Sequence, residues 1–179
     1  MTEPVLTWTK QHELESIGHE LIAGKRLAEA EKILLSALEA EDDNPVDRHF
    51  VYNHLIELYY KLRSEREDAL GKCIFFCEKD IESLPEYFKN WKNRFPPTPE
   101  LPEEMSLPQC PSIERLAIIL EKKMEYQKAI DLCKYAIELG LEVIWDSYNV
   151  RYGTNKGFKA RIQKIKSKIK SQKREGSKT

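Results

Sequence analysis

The sequence of 179 residues has few cysteines, few glycines and no long apolar run. Four cysteines in a chain of this length do not suggest a disulfide framework, which favours a reducing compartment. None of the seven glycines is grouped with another, so the sequence has no phosphate-binding glycine loop. No apolar run approaches the roughly 20 residues of a membrane-spanning helix, and residues 1–10 lack the features of a secretory signal. These absences predict a cytoplasmic protein with no membrane segment.

Catalytic and metal-binding patterns are also absent. No Ser, Cys or Thr is placed near a His with a clear third partner, so a nucleophilic triad is not visible. Cys73 and Cys77 lie one helical turn apart and could bind a metal together with His49 or His54. Because Cys73 falls on an apolar helical face and no second cysteine pair exists, we expect both thiols to pack in a core. The sequence predicts no enzyme, no cofactor and no metal site.

What the sequence does have is a strong asymmetry of charge. The net charge is −1, and 33% of the residues are charged. Residues 156–179 contain ten Lys or Arg and one acid, whereas the preceding 155 residues contain 19 basic and 29 acidic side chains. The chain therefore consists of an acidic body and a basic tail.

Apolar residues recur at helical spacing in the segment Pro111–Leu141. Two apolar stripes are separated by a break at residues 124–126, which is too short for anything but an antiparallel turn. A helix pair of this kind cannot bury its outer face alone, which is typical of a helical repeat. The first stripe contains Ile113, Leu116, Ala117 and Leu120, and the second contains Ala129, Ile130, Cys133, Ala136 and Ile137.

The same arrangement of small and large residues occurs twice more. The first copy contains Leu14, Ile17, Gly18 and Leu21, followed by Ala30, Leu34 and Ala37. Another copy contains Tyr52, Leu55, Ile56 and Tyr59, followed by Ala69, Cys73 and Phe76, with a turn that is one residue longer. The interval from Leu21 to Ala30 equals that from Leu120 to Ala129. Gly18 falls at a small-residue position, where we expect two helices to approach closely.

These copies resemble tetratricopeptide repeats (TPRs), whose motif has a large residue, a leucine-like and a small residue, and another large residue, then Ala, a large residue and Ala after the turn. The departures are Ile113 for the usual Trp, Leu120 for Tyr, Met124 for the turn Gly and Leu141 near the expected Pro. The resemblance covers about residues 11–140. It implies an all-α, right-handed solenoid of antiparallel helix pairs.

The predicted organisation is one TPR-like domain at 1–170, with helix pairs at about 11–40, 47–80 and 111–140. Within an insertion at 81–110, Ser83, Pro85 and Glu86 predict the start of a new helix. Six of the nine prolines lie in residues 96–111, which favours an extended connector over a polyproline ligand for another module.

The C-terminal region is predicted to hold a capping helix at 157–170 and a basic disordered tail at 171–179. The helix carries a narrow apolar seam, which a terminal helix needs in order to cover the last repeat. The seam residues are Phe158, Ile162, Ile165 and Ile169, at intervals of four, three and four.

By resemblance, the chain is expected to be a non-catalytic protein–protein interaction module that holds a peptide or a partner helix in a concave groove. One TPR subgroup clamps the carboxylates of chaperone tails, but only Asn53 and Lys61 fit such a clamp here. Glutamates dominate the groove positions, so a basic or mixed-charge partner segment fits better. The expected groove contacts are His12, His19, Asn53, Glu57, Tyr60 and Glu114.

Two alternatives stay open. The basic C-terminal helix and tail could bind nucleic acid through salt-dependent phosphate contacts, although Phe158 is the last aromatic residue and base stacking has no platform there. The basic side chains could instead have no binding role and only keep the exposed face of a capping helix hydrated. Self-association through an aromatic loop is the other alternative. The phosphate contacts would be Lys159, Arg161, Lys164, Lys166 and Lys168, and the loop would contribute Trp145, Tyr148 and Tyr152.

Overall fold

The computed structural model describes residues 9–94, 109–141 and 157–176. Every regular element within these ranges is an α-helix, and no strand is found in them. The predicted all-α class is therefore confirmed for this part of the chain. The chain divides into two compact units, residues 1–106 and residues 107–179, and each is described by itself below.

The described part of unit 1, residues 9–94, contains four helices: α1 (Lys10–Ala23), α2 (Leu27–Leu38), α3 (Pro45–Leu62) and α4 (Ala69–Arg94). Local capping fixes two of the helix starts. The Thr9 hydroxyl accepts a hydrogen bond from the backbone N–H of His12 at the start of α1. The Asn44 side chain accepts from the N–H of Val46 at 2.9 Å, and Pro45 occupies the first turn of α3.

Helix α4 continues into the predicted insertion as far as Arg94, so the prediction of a new helix start at Ser83 is wrong. The Ser83 hydroxyl does not cap a helix but donates to the backbone carbonyl of Asp80 at 2.8 Å. Pro85 removes one helical hydrogen bond, which costs about 3 kcal/mol in a helix interior. Burial of Leu84 and Tyr87, which are 0% and 1% exposed, offsets this loss. Residues 81–94 are therefore the second half of α4, and most of the predicted extended connector lies outside the described residues.

The buried apolar residues of unit 1 come from all four helices. Helix α1 contacts both α2 and α3, α2 also contacts α3, and α3 contacts α4. The rings of Tyr59 and Phe76 stack across α3 and α4 with centroids 5.7 Å apart. Cys73 and Cys77 are fully buried, which confirms their predicted packing role.

Gly18 lies where α1 and α2 approach each other closely, as predicted for the small-residue position. A Cβ atom placed on Gly18 would lie 2.5 Å from Cδ2 and 2.6 Å from Cγ of Leu34. Leu34 is fully buried, so it cannot simply rotate into solvent. The close approach of the two helices therefore depends on the missing side chain at residue 18.

Gly18→Val is expected to lower the free energy of unfolding by about 2–3 kcal/mol, because the added side chain overpacks the contact with Leu34. Urea unfolding monitored by circular dichroism measures this change. Gly71→Val is the matched control, since a Cβ at Gly71 meets no atom within 4 Å. The control should be neutral or slightly stabilising, because valine is a better helix former than glycine. Equal unfolding free energies for the two variants would contradict the tight contact.

Unit 2 contains α5 (Pro111–Lys122), α6 (Tyr126–Glu138) and α7 (Gly157–Gly176). Helix α6 contacts both α5 and α7. The predicted seam of α7 is confirmed, because Ile162 and Ile165 are buried in one apolar cluster with Phe158 and Ile169 packed at its edge. Residues 171–176, predicted to be disordered, are the last turns of α7. The cluster also contains Ala117, Ala129, Ile130 and Cys133.

Two helix hairpins, one in each unit, close with the same turn. The N–H of Arg26 donates to the carbonyl of Leu21 at 2.8 Å, and the N–H of Glu125 donates to that of Leu120 at 2.9 Å. These six-to-one hydrogen bonds define the Schellman motif, which needs a left-handed residue just before the donor. Lys25 (φ 60°) and Met124 (φ 62°) supply it, so Met124 adopts the conformation that glycine favours. Helix α6 ends in the same way, with Gly140 (φ 79°) before the donor.

Candidate functional site

The predicted groove residues of α1 meet side chains of α3 around Glu15. The imidazole Nε2–H of His54 donates a 2.6 Å hydrogen bond to Glu15 Oε1, and the His54 ring lies 4.7 Å from the His19 ring. On the other side, His12 Nδ1 lies 3.7 Å from Glu15 Oε2. Glu15 is only 8% exposed, so its hydrogen bond with His54 joins α1 to α3 in a largely buried position. The structure thus brings His12 and His19 to one face, as predicted.

His12 also faces a second buried carboxylate, that of Asp47 on α3. The distance from His12 Nδ1 to Asp47 Oδ1 is 3.6 Å. Asp47 is 1% exposed and accepts hydrogen bonds from the Thr9 hydroxyl at 2.8 Å and from Arg94 Nη1 at 2.9 Å. His12 therefore packs against α3, and only 28% of its side chain is exposed.

Asn53 is bound into a buried cluster that the sequence did not reveal. Its side-chain Nδ2–H donates to His49 Nε2 at 2.8 Å, and His49 Nδ1–H donates to Asp80 Oδ1 at 2.7 Å. His49 and Asp80 are 1% and 0% exposed, and the His49 ring stacks on Tyr87 with centroids 3.8 Å apart. The His49–Asp80 pair joins α3 to α4, so Asn53 has a positioning role in addition to its partly exposed surface.

The remaining groove residues of α3 are more accessible. Glu57 is exposed and forms a 2.7 Å ion pair with Lys61 one turn later, with both side chains about half exposed. Tyr60 is partly buried, and the Arg63 guanidinium lies 3.9 Å from the centroid of its ring. An exposed pair at this spacing contributes only about 0.3–0.5 kcal/mol, so Glu57 can leave Lys61 at little cost.

A shallow depression of about 390 Å³ lies along the exposed face of α1. Ile17 belongs to the predicted apolar stripe of this helix, but 45% of it is exposed, which corrects the expectation that it packs in the core. The other lining residues are His12, Glu13, Ser16 and Glu20. Glu13 and Glu20 are both exposed, so an accessible aliphatic side chain stands between two carboxylates.

In unit 2, the basic residues of α7 meet the acids of α5. Arg161 is 6% exposed, and its Nη1 and Nη2 donate to Glu121 Oε2 at 3.2 Å and to Glu114 Oε1 at 3.5 Å. Lys168 donates to Glu121 Oε1, and Lys164 Nζ lies 3.8 Å from the same oxygen. Three of the predicted phosphate contacts therefore face carboxylates within unit 2. Glu114, predicted as a groove residue, is one of these carboxylates.

The Glu121 carboxylate is stabilised in its charged form by these cations. Burial raises its pKa, but the hydrogen bond from Lys168 and the charges of Lys164 and Arg161 outweigh burial, so the pKa lies below its ordinary value. Glu121 thus links α5 to α7 as a carboxylate with three cationic neighbours.

The other predicted phosphate contacts, Lys159 and Lys166, are exposed on α7. The predicted aromatic loop, with Trp145, Tyr148 and Tyr152, lies outside the described residues.

A further polar network lies at the contact of α2, α3 and α4 and was not predicted. Glu31 accepts hydrogen bonds from Tyr59 at 2.8 Å and from Arg66 Nη1 at 2.5 Å, and Lys72 lies 3.4 Å away. The hydrogen bonds from Arg66 lower the pKa of Glu31 against the opposing effect of burial. Burial, followed by the bond to Glu31, raises the pKa of Tyr59. These residues join three helices, which is a structural role.

Metal and membrane sites are not found in the part of the chain that the structure describes. No group of three or more His, Cys, Asp or Glu side chains could hold a metal ion in residues 9–94, 109–141 and 157–176. In the same ranges, no helix is both long and apolar enough to cross a membrane. Comparisons of the chain with models of protein families, with curated proteins and with solved structures gave no match.

Proposed function

We propose that the chain is a non-catalytic interaction module built from TPR-like helix pairs, which binds a peptide or a helix of a partner protein along the exposed face of α1. The observation that carries this proposal is the exposed Ile17 in a depression between Glu13 and Glu20. A single aliphatic side chain surrounded by polar groups can act as an anchor point, and the charges around it can select the partner.

The order of helix contacts supports the TPR-like arrangement. In unit 1 each helix contacts the next one, and α1 also contacts α3, as expected when helix pairs stack side by side. The close approach at Gly18 and the shared Schellman turns of the two hairpins fit the same arrangement. In such a stack the first helix of each pair lines the concave face, which would place α1 and α3 there.

The charges beside Ile17 indicate the chemistry of the partner. Glu20 has no ion pair among the described residues, and Glu13 pairs only with Lys10, at 3.2 Å, with both side chains more than half exposed. A segment with Lys or Arg beside an aliphatic or aromatic side chain would neutralise the two glutamates and cover Ile17.

The proposal is tested by selecting peptides from a random library on the full chain and measuring their affinities for two variants. Ile17→Asp should weaken the selected peptides by at least about tenfold, because it places a charge where the apolar anchor binds. Leu35→Asp is the matched control, since Leu35 is 37% exposed on α2 and should leave the affinities within about twofold. Selected peptides should be rich in Lys or Arg. A library that yields no binder, or equal losses in both variants, would reject the proposal.

A further inference from the structure

Helix α7 carries its cations on two different edges. The first edge contains Arg161, Lys164 and Lys168, which face Glu121 and Glu114 of α5. Their charges are largely compensated inside unit 2, and Arg161 is buried. This edge holds α7 in place and has little net charge to offer another molecule.

The second edge, called here the outer edge, contains Lys166, Lys170 and Arg174. Their spacing of four residues places them on one face of α7, about 6 Å apart along the helix axis. All three side chains are exposed, and none forms an ion pair or a hydrogen bond with a side chain that the structure describes. The sequence of α7 contains eight Lys or Arg and one acid, Glu175, so most of this charge is not compensated within the helix either.

We propose that the outer edge of α7 binds the phosphate backbone of a nucleic-acid duplex without reading its base sequence. A duplex carries one negative charge per roughly 1.7 Å of its axis, so an edge about 12 Å long meets several phosphates at once. Lys and Arg contact phosphates by charge alone, which positions a protein on a duplex but does not select a sequence. This function is separate from peptide binding on α1, because it uses a different unit of the chain.

A duplex fits this edge better than a single strand does. Proteins that bind single strands combine cations with aromatic side chains on which the bases stack. Phe158 is the only aromatic residue in 157–176, and it packs against the apolar cluster of unit 2. The edge therefore offers phosphate contacts and no platform for bases.

A membrane surface fits the edge less well. A basic helix that binds membranes inserts its apolar face into the lipid. The apolar face of α7 is already used, because Ile162 and Ile165 are buried against α6 and α5 residues. Binding to lipid in that way would require α7 to leave unit 2.

The experiment measures binding of the full chain to a fluorescent 20-base-pair DNA duplex of arbitrary sequence, at 50 and 200 mM salt. With three phosphate contacts, the affinity should fall by roughly 40-fold over this range. Lys166→Gln/Lys170→Gln should weaken binding at 50 mM salt by at least about tenfold. It should also reduce the slope of log affinity against log salt by the amount expected for roughly two phosphate contacts. Lys164→Gln/Lys168→Gln removes the same charge from the compensated edge and should weaken binding by less than about threefold.

The variants are compared only at matched helical content, measured by circular dichroism. Should the Lys164→Gln/Lys168→Gln chain lose helix, Lys123→Gln/Lys128→Gln replaces it as control, because both lysines pair with Glu125 at the surface. Equal losses in the outer-edge variant and the control would show an effect of net charge alone and overturn the proposal. Absence of duplex binding, or tighter binding to phosphatidylserine vesicles accompanied by release of α7, would also overturn it.

Discussion

Replacing Asp80 with alanine is expected to lower the free energy of unfolding by about 2–4 kcal/mol. His49 donates its Nδ1–H to Asp80 Oδ1 at 2.7 Å, and neither residue is more than 1% exposed. Removing the carboxylate leaves a buried imidazole N–H without an acceptor and opens a cavity between α3 and α4. A loss of this size is a large share of the 5–15 kcal/mol that typically stabilises a domain.

Asp80→Asn is the control for this prediction. Its amide oxygen can still accept from His49 Nδ1–H, and it removes the desolvation cost of a buried charge. Asp80 Oδ2 has no hydrogen-bond partner among the described residues, so an amide nitrogen there interrupts no existing bond. We expect this variant to stay within about 1 kcal/mol of the natural chain in urea unfolding. If alanine and asparagine had the same small effect, the His49 hydrogen bond would not stabilise unit 1.

The second large effect is expected from Glu121→Ala, which should lower the free energy needed to separate α7 from α5 by about 3 kcal/mol. Arg161 would keep only Glu114, at 3.5 Å, as a carboxylate partner, although it is almost fully buried. Lys164 and Lys168 would lose their shared partner, and repulsion among the three cations would then oppose packing. Hydrogen exchange of the α7 amides measures the change directly, because it reports local opening.

The same carboxylate gives a pH dependence with a defined sign. The pKa of Glu121 is lowered in the folded chain, so its stabilising effect is fully present above the unfolded pKa of about 4.3. It is lost as the pH falls through the folded value. The protection factors of the α7 amides, which correct for the intrinsic pH dependence of exchange, should therefore fall at acid pH in the natural chain and change less in Glu121→Ala.

Glu125→Ala serves as the control for Glu121→Ala. Glu125 also pairs with lysines, but at the surface, where such pairs contribute about 0–1 kcal/mol. Its substitution should leave exchange in α7 nearly unchanged at pH 7. Equal acceleration in both variants would contradict the role of Glu121 as the link between α5 and α7.

The helices were predictable where a local signal and burial agree. The apolar period identifies the helices of both units, and the seam of α7 follows from four spaced residues. The error at Ser83 arises because the local signal for a helix start, with serine and proline, is strong there. Burial of Leu84 and Tyr87 decides the outcome, and Tyr87 stacks on His49 of α3, which is more than 20 positions away.

The candidate site was less predictable, because its contacts join residues far apart in the sequence. His49 and Asp80 are 31 positions apart, and His54 and Glu15 are 39 positions apart. Spacing along one helix identifies residues that share a face, but it does not show which residue of another helix they meet. Ile17 illustrates the same limit, since an apolar period predicts burial whether or not a neighbouring helix covers the position.

The recurring Schellman turn has a consequence for how the sequence determines this architecture. Lysine, methionine and glycine occupy the left-handed position in three turns that share the same backbone hydrogen bonds. The left-handed conformation costs a non-glycine residue roughly 1–2 kcal/mol, so two of these turns are maintained against local preference. The path of the chain through these turns is therefore determined more by the packing of the flanking helices than by the residue at the left-handed position. A chain encoded in this way can diverge at its signature positions while the path of its backbone is conserved.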